Sequence, residues 1–220
     1  MNLQELQGTY DGIYSLGNLC LTSIQLEKNN LRPYSGVFDW VASLELSKVN
    51  RLLANRFADF MRPRHLRVVG YADECICVSD DYNHIVSNHD FHIGPNSLTY
   101  LGGYPAVMEK YNRRIGRFLD HMQSCMRILF VRTEATLEDA EELESVLSEL
   151  VKHDFRVLVV NHADVRELVE QHWPLARVCA VQLPKGEEGD KWSQNDFWWT
   201  ALLQGIVYEE TSVDHYVVAE

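Results

Sequence analysis

Residues 127–132 read Arg-Ile-Leu-Phe-Val-Arg, with four apolar residues in succession between two arginines. A continuous apolar run of this length is typical of a strand that is buried on both faces of a parallel sheet. Similar runs follow at 155–160 and 178–183, and a helical pattern that opens at Thr136 separates the first two. A second, shorter helix is predicted for 164–172. Strands that alternate with helices predict β-α-β units in the C-terminal half of the chain.

The N-terminal half has a different pattern. Short apolar and polar runs broken by turn signals predict a meander of short strands over 66–93. Apolar residues at helical spacing predict one amphipathic helix over 43–61 and a longer one over 107–122. The fold class is therefore mixed α/β, and we expect one globular domain over residues 1–220.

Composition narrows the possible partners. The net charge of −12 would repel phosphate backbones, which argues against nucleic acid as a partner. No apolar run approaches the roughly 20 residues that span a bilayer, and the first residues lack a signal-peptide pattern. Five cysteines without a framework spacing indicate reduced thiols. We expect a cytoplasmic protein that does not bind membranes, and the sequence sets no oligomeric state.

Residues 15–20, Ser-Leu-Gly-Asn-Leu-Cys, combine a turn signal with the start of a predicted helix. Cys20 would meet free backbone N–H groups and the positive end of the helix dipole, which favour the thiolate. The same N–H groups, together with Gly17 and Asn18, could stabilise an oxyanion. The alternative is that Cys20 is a small buried hydrophobic residue.

A cysteine nucleophile needs a base, and His89 directly follows a predicted strand. The alternative is that His89 ends the strand and bonds to backbone. Asp90 is a poor partner for His89 because successive strand side chains point to opposite faces. Asp39, Asn161 and Asp196 each lie near the end of a predicted element, and the sequence does not choose among them as the group that orients the base.

The sequence carries no cofactor signature. Cys75 and Cys77, with nearby histidines and aspartates, could supply zinc ligands, but they form no Cys-x-x-Cys knuckle and no matching pair follows. Gly-x-Ser-x-Gly, Walker and Gly-x-Gly-x-x-Gly motifs are also absent from the sequence. We therefore expect neither a metal nor a cofactor. The basic run at 113–117 is a solvated helix face or a grip for an anionic substrate.

Several short motifs in order resemble a bacterial family of unknown function described as "putative papain-like cysteine peptidases". The motifs are Ser-Leu-Gly-x-x-Cys at 15–20, Leu-Arg-x-x-Ser at 31–35, Phe-Asp-Trp at 38–40, His-Asp-Phe at 89–91, Tyr-x-x-Arg-Ile-x-Arg-Phe at 111–118 and Phe-Val-Arg at 130–132. The resemblance implies that Cys20 is the nucleophile, that His89 is the base, and that Asp39 and Trp40 lie close to the site.

The leading hypothesis is thiol-based acyl transfer or hydrolysis of a small-molecule or peptide substrate by Cys20 and His89. Site residues that could contact the substrate are Arg32, Ser35 and Arg114, and Asp90 would support the site. A second hypothesis is a non-catalytic carbohydrate- or peptide-binding module, whose stacking platforms would come from Trp40, Trp192, Trp198 and Trp199. A third is a carbohydrate-active transferase with Asp39, Asp90 or Asp196 as acid or base.

Overall fold

The computed structural model describes residues 1–186 and 195–210. Its helices are α1 (Leu3–Leu6), α2 (Leu21–Lys28), α3 (Leu46–Ala54), α4 (Tyr104–Ser124), α5 (Leu137–Leu150) and α6 (Asp196–Leu203). Its strands are β1 (Gly8–Tyr10), β2 (Gly12–Ser15), β3 (Val41–Ala42), β4 (Leu66–Ala72), β5 (Cys75–Asp80), β6 (Ile85–His92), β7 (Arg127–Thr133), β8 (Asp154–Ala163), β9 (Val169–Gln171), β10 (Val178–Pro184) and β11 (Ile206–Tyr208). A single 3-10 turn covers Pro63–His65.

The central sheet has the strand order β2-β7-β8-β10-β9. Strands β2, β7, β8 and β10 are parallel, and β9 joins the edge in the antiparallel direction. Helix α5 connects β7 to β8, and Thr136 caps it by accepting a hydrogen bond from the backbone N–H of Asp139. The predicted β-α-β unit is therefore confirmed, and with it the mixed α/β fold class.

Both faces of this sheet are buried, as the continuous apolar runs predict. Phe130, Val157 and Val159 belong to one hydrophobic cluster, which also includes side chains of α3, α4, α5 and the antiparallel strands. Their chain neighbours Val131 and Leu158 belong to a second cluster, with α1 and α6. Successive strand residues point to opposite faces, so each run supplies both clusters in turn.

The predicted meander is a second, antiparallel sheet with the order β3-β6-β5-β4. Strand β3 lies at its edge, where Val41 pairs with Ser87 and Ala42 with Val86. The residue after β3, Ser43, donates its backbone N–H to the carbonyl of Asn18 at 2.8 Å. This bond connects the antiparallel sheet to the segment that follows β2. A third pair, β1 and β11, is parallel.

One predicted helix is shorter than expected, and another is wrong. The helix predicted over 43–61 begins at Leu46 and ends at Ala54, because Arg56, Phe57, Asp59 and Met61 have left-handed backbone angles. Phe57, Phe60 and Met61 are nevertheless buried, so beyond residue 54 the spacing of apolar residues reflects burial without a helix. The segment 164–172 contains strand β9, because backbone bonds to β10 are available at the edge of the sheet.

Among residues 1–186 and 195–210, no helix combines the length and the apolar character needed to cross a bilayer.

Candidate active site

Cys20 lies where the chain leaves the carboxyl end of β2 and enters α2. It occupies the N-cap position of α2, and its side chain makes no capping hydrogen bond. The residue is 8 % exposed. The carboxyl ends of parallel strands are where open α/β sheets bind ligands, so the sheet itself places this thiol at a suitable edge.

The turn before Cys20 is built from two left-handed residues, Gly17 (φ 80°) and Asn18 (φ 79°). A Cβ on Gly17 would lie 2.5 Å from the Oγ of Ser43, so both the backbone angle and the available space require glycine. The carbonyl of Gly17 accepts hydrogen bonds from the hydroxyls of Thr22 (3.2 Å) and Thr133 (3.3 Å). These bonds join the turn to the first turn of α2 and to the end of β7.

Arg132 holds the Cys20 turn against the antiparallel sheet. Its side chain is fully buried and donates to the carbonyls of Leu16 (2.9 Å) and Ser43 (2.7 Å) and to the Oγ of Ser43 (3.1 Å). Burial lowers the pKa of Arg132 to about 10, so the guanidinium is still charged at neutral pH. In the sequence, Arg132 belongs to the Phe-Val-Arg motif but has no predicted role. In the structure it connects the turn before Cys20 to the residue after β3.

Asp39 is a buried turn residue that its neighbours hold in place. One of its carboxylate oxygens accepts hydrogen bonds from Arg32 Nε and from the backbone N–H of Gly36, both at 2.8 Å. Arg32 also donates to the hydroxyl of Ser35 at 3.2 Å, and its guanidinium lies 5.2 Å from the ring centroid of Trp40. Arg32 and Ser35, predicted to contact substrate, are thus engaged in positioning Asp39 and Trp40.

A β-bulge sets the direction of His89. Strand β5 pairs Val78 with Ser87 and then Ile76 with Phe91, so β6 carries two extra residues over this stretch. Bulges of this kind re-aim side chains and recur beside active sites. His89 is exposed, and its ring centroid lies 6.0 Å from that of Trp40 at an interplanar angle of 77°.

Asp90, the next residue, points inward and is 6 % exposed. Its carboxylate accepts hydrogen bonds from the hydroxyls of Ser87 and Tyr111 and from the ammonium of Lys110. Burial acts to raise the pKa of Asp90, but the three donors together hold it below its usual value. The site therefore contains a permanently ionised carboxylate near neutral pH.

The charge state of Cys20 differs from the expectation. Burial raises the pKa of the thiol, its own backbone N–H lowers it, and the charges of Asp39 and Asp90 raise it further. The net effect is a pKa above the ordinary value, so the prediction that the helix N-terminus favours the thiolate is wrong. Burial and the two carboxylates outweigh the backbone N–H.

The structure links two of the sequence-predicted residues to the thiol and two to each other. Asp39 and Asp90 act on Cys20 electrostatically, and each is adjacent in sequence to one member of the Trp40–His89 ring contact. No hydrogen bond joins the Cys20 sulfur to an imidazole within residues 1–186 and 195–210. The pKa of the Cys20 thiol is raised, and His89 is exposed to solvent.

An imidazole–carboxylate pair lies at the same edge of the central sheet and was missed from the sequence. His162 Nδ1 and Glu134 Oε1 are 2.5 Å apart, and these residues follow the ends of the apolar runs in β8 and β7. The position of His162 shortly after the apolar run 155–160 was the available signal. Asn161, considered as an orienting group, bonds to both the backbone N–H and the carbonyl of Ala135 at 2.9 Å.

The other predicted groups lie in different surroundings. Asp196 bonds to Lys28 and Gln25 and so connects α6 to α2. Arg114 is half-buried, with its guanidinium 5.8 Å from the ring centroid of Tyr111. Arg117 donates to the carbonyl of Ser35, so one residue of the basic run engages the loop that carries the Phe-Asp-Trp motif.

Two further predictions concern metals and tryptophans. The described parts of the chain hold no group of three or more His, Cys, Asp or Glu side chains arranged for a metal ion. Of the zinc ligands considered, Cys75 and His92 contact each other, with 3.4 Å between Cys75 Sγ and His92 Nδ1. Trp199 is fully buried and Trp198 half-buried, so Trp199 is a core residue. Trp192 lies outside the described residues.

Comparison with known proteins gives two matches. The family model described as "Putative papain-like cysteine peptidase" matches residues 11–165. An uncharacterized protein of Acanthamoeba polyphaga mimivirus is 27% identical over 160 residues, which cover 64% of this chain and 71% of the viral chain. No solved structure matches the chain. The stretch that the family model matches contains Cys20, the Phe-Asp-Trp motif, His89 and Arg132.

Proposed function

The chain belongs to the family described as "putative papain-like cysteine peptidase", and on this premise we propose that it is a cysteine hydrolase whose nucleophile is Cys20 and whose base is His89. The observation that carries this proposal is electrostatic. Of the carboxylates in the described chain, Asp39 and Asp90 act on the Cys20 thiol, and they lie beside Trp40 and His89, whose rings are in contact.

The reaction begins from a neutral thiol and a neutral imidazole. The Cys20 sulfur attacks a substrate carbonyl carbon while His89 takes the thiol proton, so a C–S bond forms and the carbonyl oxygen becomes an oxyanion. Backbone N–H groups at the start of α2 stabilise this oxyanion. Because the thiol pKa is raised, transfer of the proton accompanies the attack and does not precede it.

His89 then returns the proton to the leaving group, the bond from the carbonyl carbon to that group breaks, and a thioester on Cys20 remains. Water attacks the thioester with His89 again as base, which releases the acid and restores the thiol. An amine or hydroxyl in place of water would give acyl transfer. Every step in which His89 exchanges a proton needs its side chain to turn toward Cys20, and its exposed position on the bulge leaves room for that movement.

The rate of Cys20 alkylation by iodoacetamide as a function of pH tests the pair. Mass spectrometry of the Cys20 peptide separates this thiol from the other four, and Cys20→Ser assigns the signal. The parent protein and His89→Ala are compared, with His162→Ala as the matched control. We expect His89→Ala to slow alkylation at pH 6–7 and His162→Ala to leave it unchanged.

Hydrolysis itself is measured with a library of peptide amides, and Cys20→Ala should abolish turnover. Loss of alkylation in His162→Ala and not in His89→Ala would transfer the role of base to His162. Turnover that survives in Cys20→Ala would overturn the mechanism.

A second function has one observation in its favour. Trp40 is half-buried and stacked beneath the Arg32 guanidinium, an arrangement that suits a platform for a sugar or peptide group. In a non-catalytic binding module Cys20 would be packing, and Trp40→Ala would abolish ligand binding while Cys20→Ala would not.

A further inference from the structure

The direction of His89, the proposed base, is restrained by an aromatic contact. Its ring centroid lies 6.0 Å from that of Trp40 at an interplanar angle of 77°, which is an edge-to-face contact of the kind that aromatic pairs prefer. Within residues 1–186 and 195–210 the His89 imidazole takes part in no hydrogen bond and no ion pair. Because an exposed side chain without such bonds can occupy several staggered rotamers, the indole is the group that can favour one of them.

The pairing of two strands places the Trp40 ring beside His89. Trp40 directly precedes β3, and Val41 in β3 pairs with Ser87 of β6, two residues before His89. The bulge in β6 follows this pair directly, over residues 88–90. Because bulges re-aim side chains, the contact between the two rings is a consequence of how β3 meets β6 at the start of the bulge.

The indole itself is held in place by Arg32. The Arg32 guanidinium lies 5.2 Å from the Trp40 ring centroid, within the range of a cation–π contact. Arg32 donates to the Asp39 carboxylate at 2.8 Å and to the Ser35 hydroxyl at 3.2 Å. The side chains of Arg32 and Asp39 are only 14 % and 3 % exposed. A largely buried ion pair therefore fixes the ring that His89 contacts.

We propose that Trp40 is a positioning residue for His89, whose indole holds the imidazole in its outward orientation and so sets the fraction of molecules in which it turns toward Cys20. The kinetic consequence rests on the proposed function, but the ring contact exists whether or not Cys20 is a nucleophile. An aromatic pair of this kind can shift a rotamer equilibrium by about two- to tenfold. Loss of the indole should therefore leave His89 freer to reach the thiol.

NMR spectroscopy of the histidine rings tests the contact directly. The ring current of the indole shifts the resonances of the His89 ring protons, and His89→Ala assigns these resonances. We expect Trp40→Leu to move them toward the values of an unstructured histidine, and Trp40→Phe, which keeps an aromatic face, to retain part of the shift. Thermal unfolding checks that both variants are folded. His89 resonances that are the same in the parent and in folded Trp40→Leu would overturn the proposal.

A similar group of side chains elsewhere in the chain provides a matched control. The ring centroids of Tyr82 and His65 are 4.7 Å apart, and the Arg51 guanidinium lies 4.4 Å from the Tyr82 ring centroid. An arginine, an aromatic ring and a histidine thus meet here as they do at Trp40. Tyr82→Leu should move the His65 resonances and leave those of His89 in place.

The rate of Cys20 alkylation by iodoacetamide at pH 7 measures the kinetic consequence. Trp40→Leu should accelerate alkylation about two- to tenfold, because more molecules then have His89 turned toward the thiol. Trp40→Phe should stay closer to the parent rate than Trp40→Leu, and Tyr82→Leu should equal the parent. The acceleration should disappear in the double variant Trp40→Leu/His89→Ala, since it acts through the imidazole.

The outcomes separate this proposal from the proposed function. Acceleration that persists in the double variant would overturn the positioning role, and so would an unchanged or slower rate in Trp40→Leu when His89→Ala slows alkylation. Resonances that move in Trp40→Leu, with alkylation unchanged in both Trp40→Leu and His89→Ala, would instead contradict the Cys20–His89 pair. The indole would then still orient His89, but His89 would not be the base.

Discussion

At the residue scale, the reactivity of Cys20 depends on charges that lie far from it in the sequence. Its position at the start of α2 favours the thiolate, yet burial, Asp39 and Asp90 raise its pKa. Asp39 is bound by Arg32 and Gly36, and Asp90 by three donors. Since these hydrogen bonds hold both carboxylates in place, the pKa of the thiol stays above its ordinary value.

Asp90→Asn should lower the pKa of the Cys20 thiol. The variant removes one of the two negative charges that raise this pKa, and it leaves the ammonium of Lys110 without its carboxylate. The pH profile of Cys20 alkylation should therefore shift to lower pH than in the parent. Asp196→Asn also removes one negative charge, but from the contact between α6 and α2, and should leave the profile in place. An Asp90→Asn profile that coincides with the parent's would contradict this account.

At the scale of elements, two short connections determine where the thiol lies. One is the left-handed turn between β2 and α2, and the other is the contact of Arg132 in β7 with the residues after β3. The first aims Cys20 at the edge of the central sheet. The second fixes the antiparallel sheet, and thus the bulge that carries His89, against the same edge.

Gly17→Ala should destabilise the protein by about 1–3 kcal/mol, because alanine disfavours a φ of 80° and its Cβ would meet the Ser43 hydroxyl at 2.5 Å. Gly116→Ala is the opposite case. Gly116 lies inside α4 with open space around it, so alanine there should stabilise by about 0.5–1 kcal/mol. Urea unfolding measures both, and changes of the same sign would contradict the prediction.

Arg132→Met should destabilise the protein by about 2 kcal/mol, since methionine fills the volume but leaves the carbonyls of Leu16 and Ser43 without a donor. Arg127→Met, at the half-buried beginning of the same strand, should cost less than about 1 kcal/mol, because its ion pair with Asp154 is long and partly solvated. Free energies of unfolding in urea compare the two. If Arg127→Met lowered the free energy of unfolding as much as Arg132→Met, the prediction that the buried hydrogen bonds of Arg132 stabilise the protein would be contradicted.

At the scale of the whole molecule, the chain continues to build its core beyond the stretch that the family model matches. That stretch ends at residue 165, whereas β10 and α6 complete the second hydrophobic cluster. Helix α6 also connects to α2 through Asp196. The elements after residue 165 therefore support the helix that begins beside Cys20.

Trp199→Ala should destabilise the protein by about 3–5 kcal/mol, because the side chain is fully buried and its removal leaves a cavity in the second cluster. Phe197→Ala lies on the same helix at a residue that is 74 % exposed, and its effect should stay within about 0.5 kcal/mol. Thermal unfolding of both variants provides the test. A small effect at Trp199 would mean that α6 contributes little to the stability of the core.

Much of the fold could be predicted because it depends on local patterns. The apolar run 127–132 becomes a central strand, the capping residue Thr136 starts α5, and the turn signals before Cys20 precede α2. Where the prediction fails, the same spacing of apolar residues is compatible with two different backbone conformations. Phe57 and Phe60 are buried at helical spacing without a helix, and β9 takes the hydrogen bonds that the edge of β10 offers.

By itself the sequence determined the class of fold, the strand-to-helix junction at Cys20 and the motifs that mark the family, because these depend on residues close together in the chain. Only the tertiary structure decided the charge state of the thiol, the engagement of Arg32 and Asp39, the outward direction of His89 and the role of Arg132. Each of these depends on contacts, burial and charge separations that exist only in the folded chain, and for the thiol and Arg132 they join groups that are 19 or more residues apart.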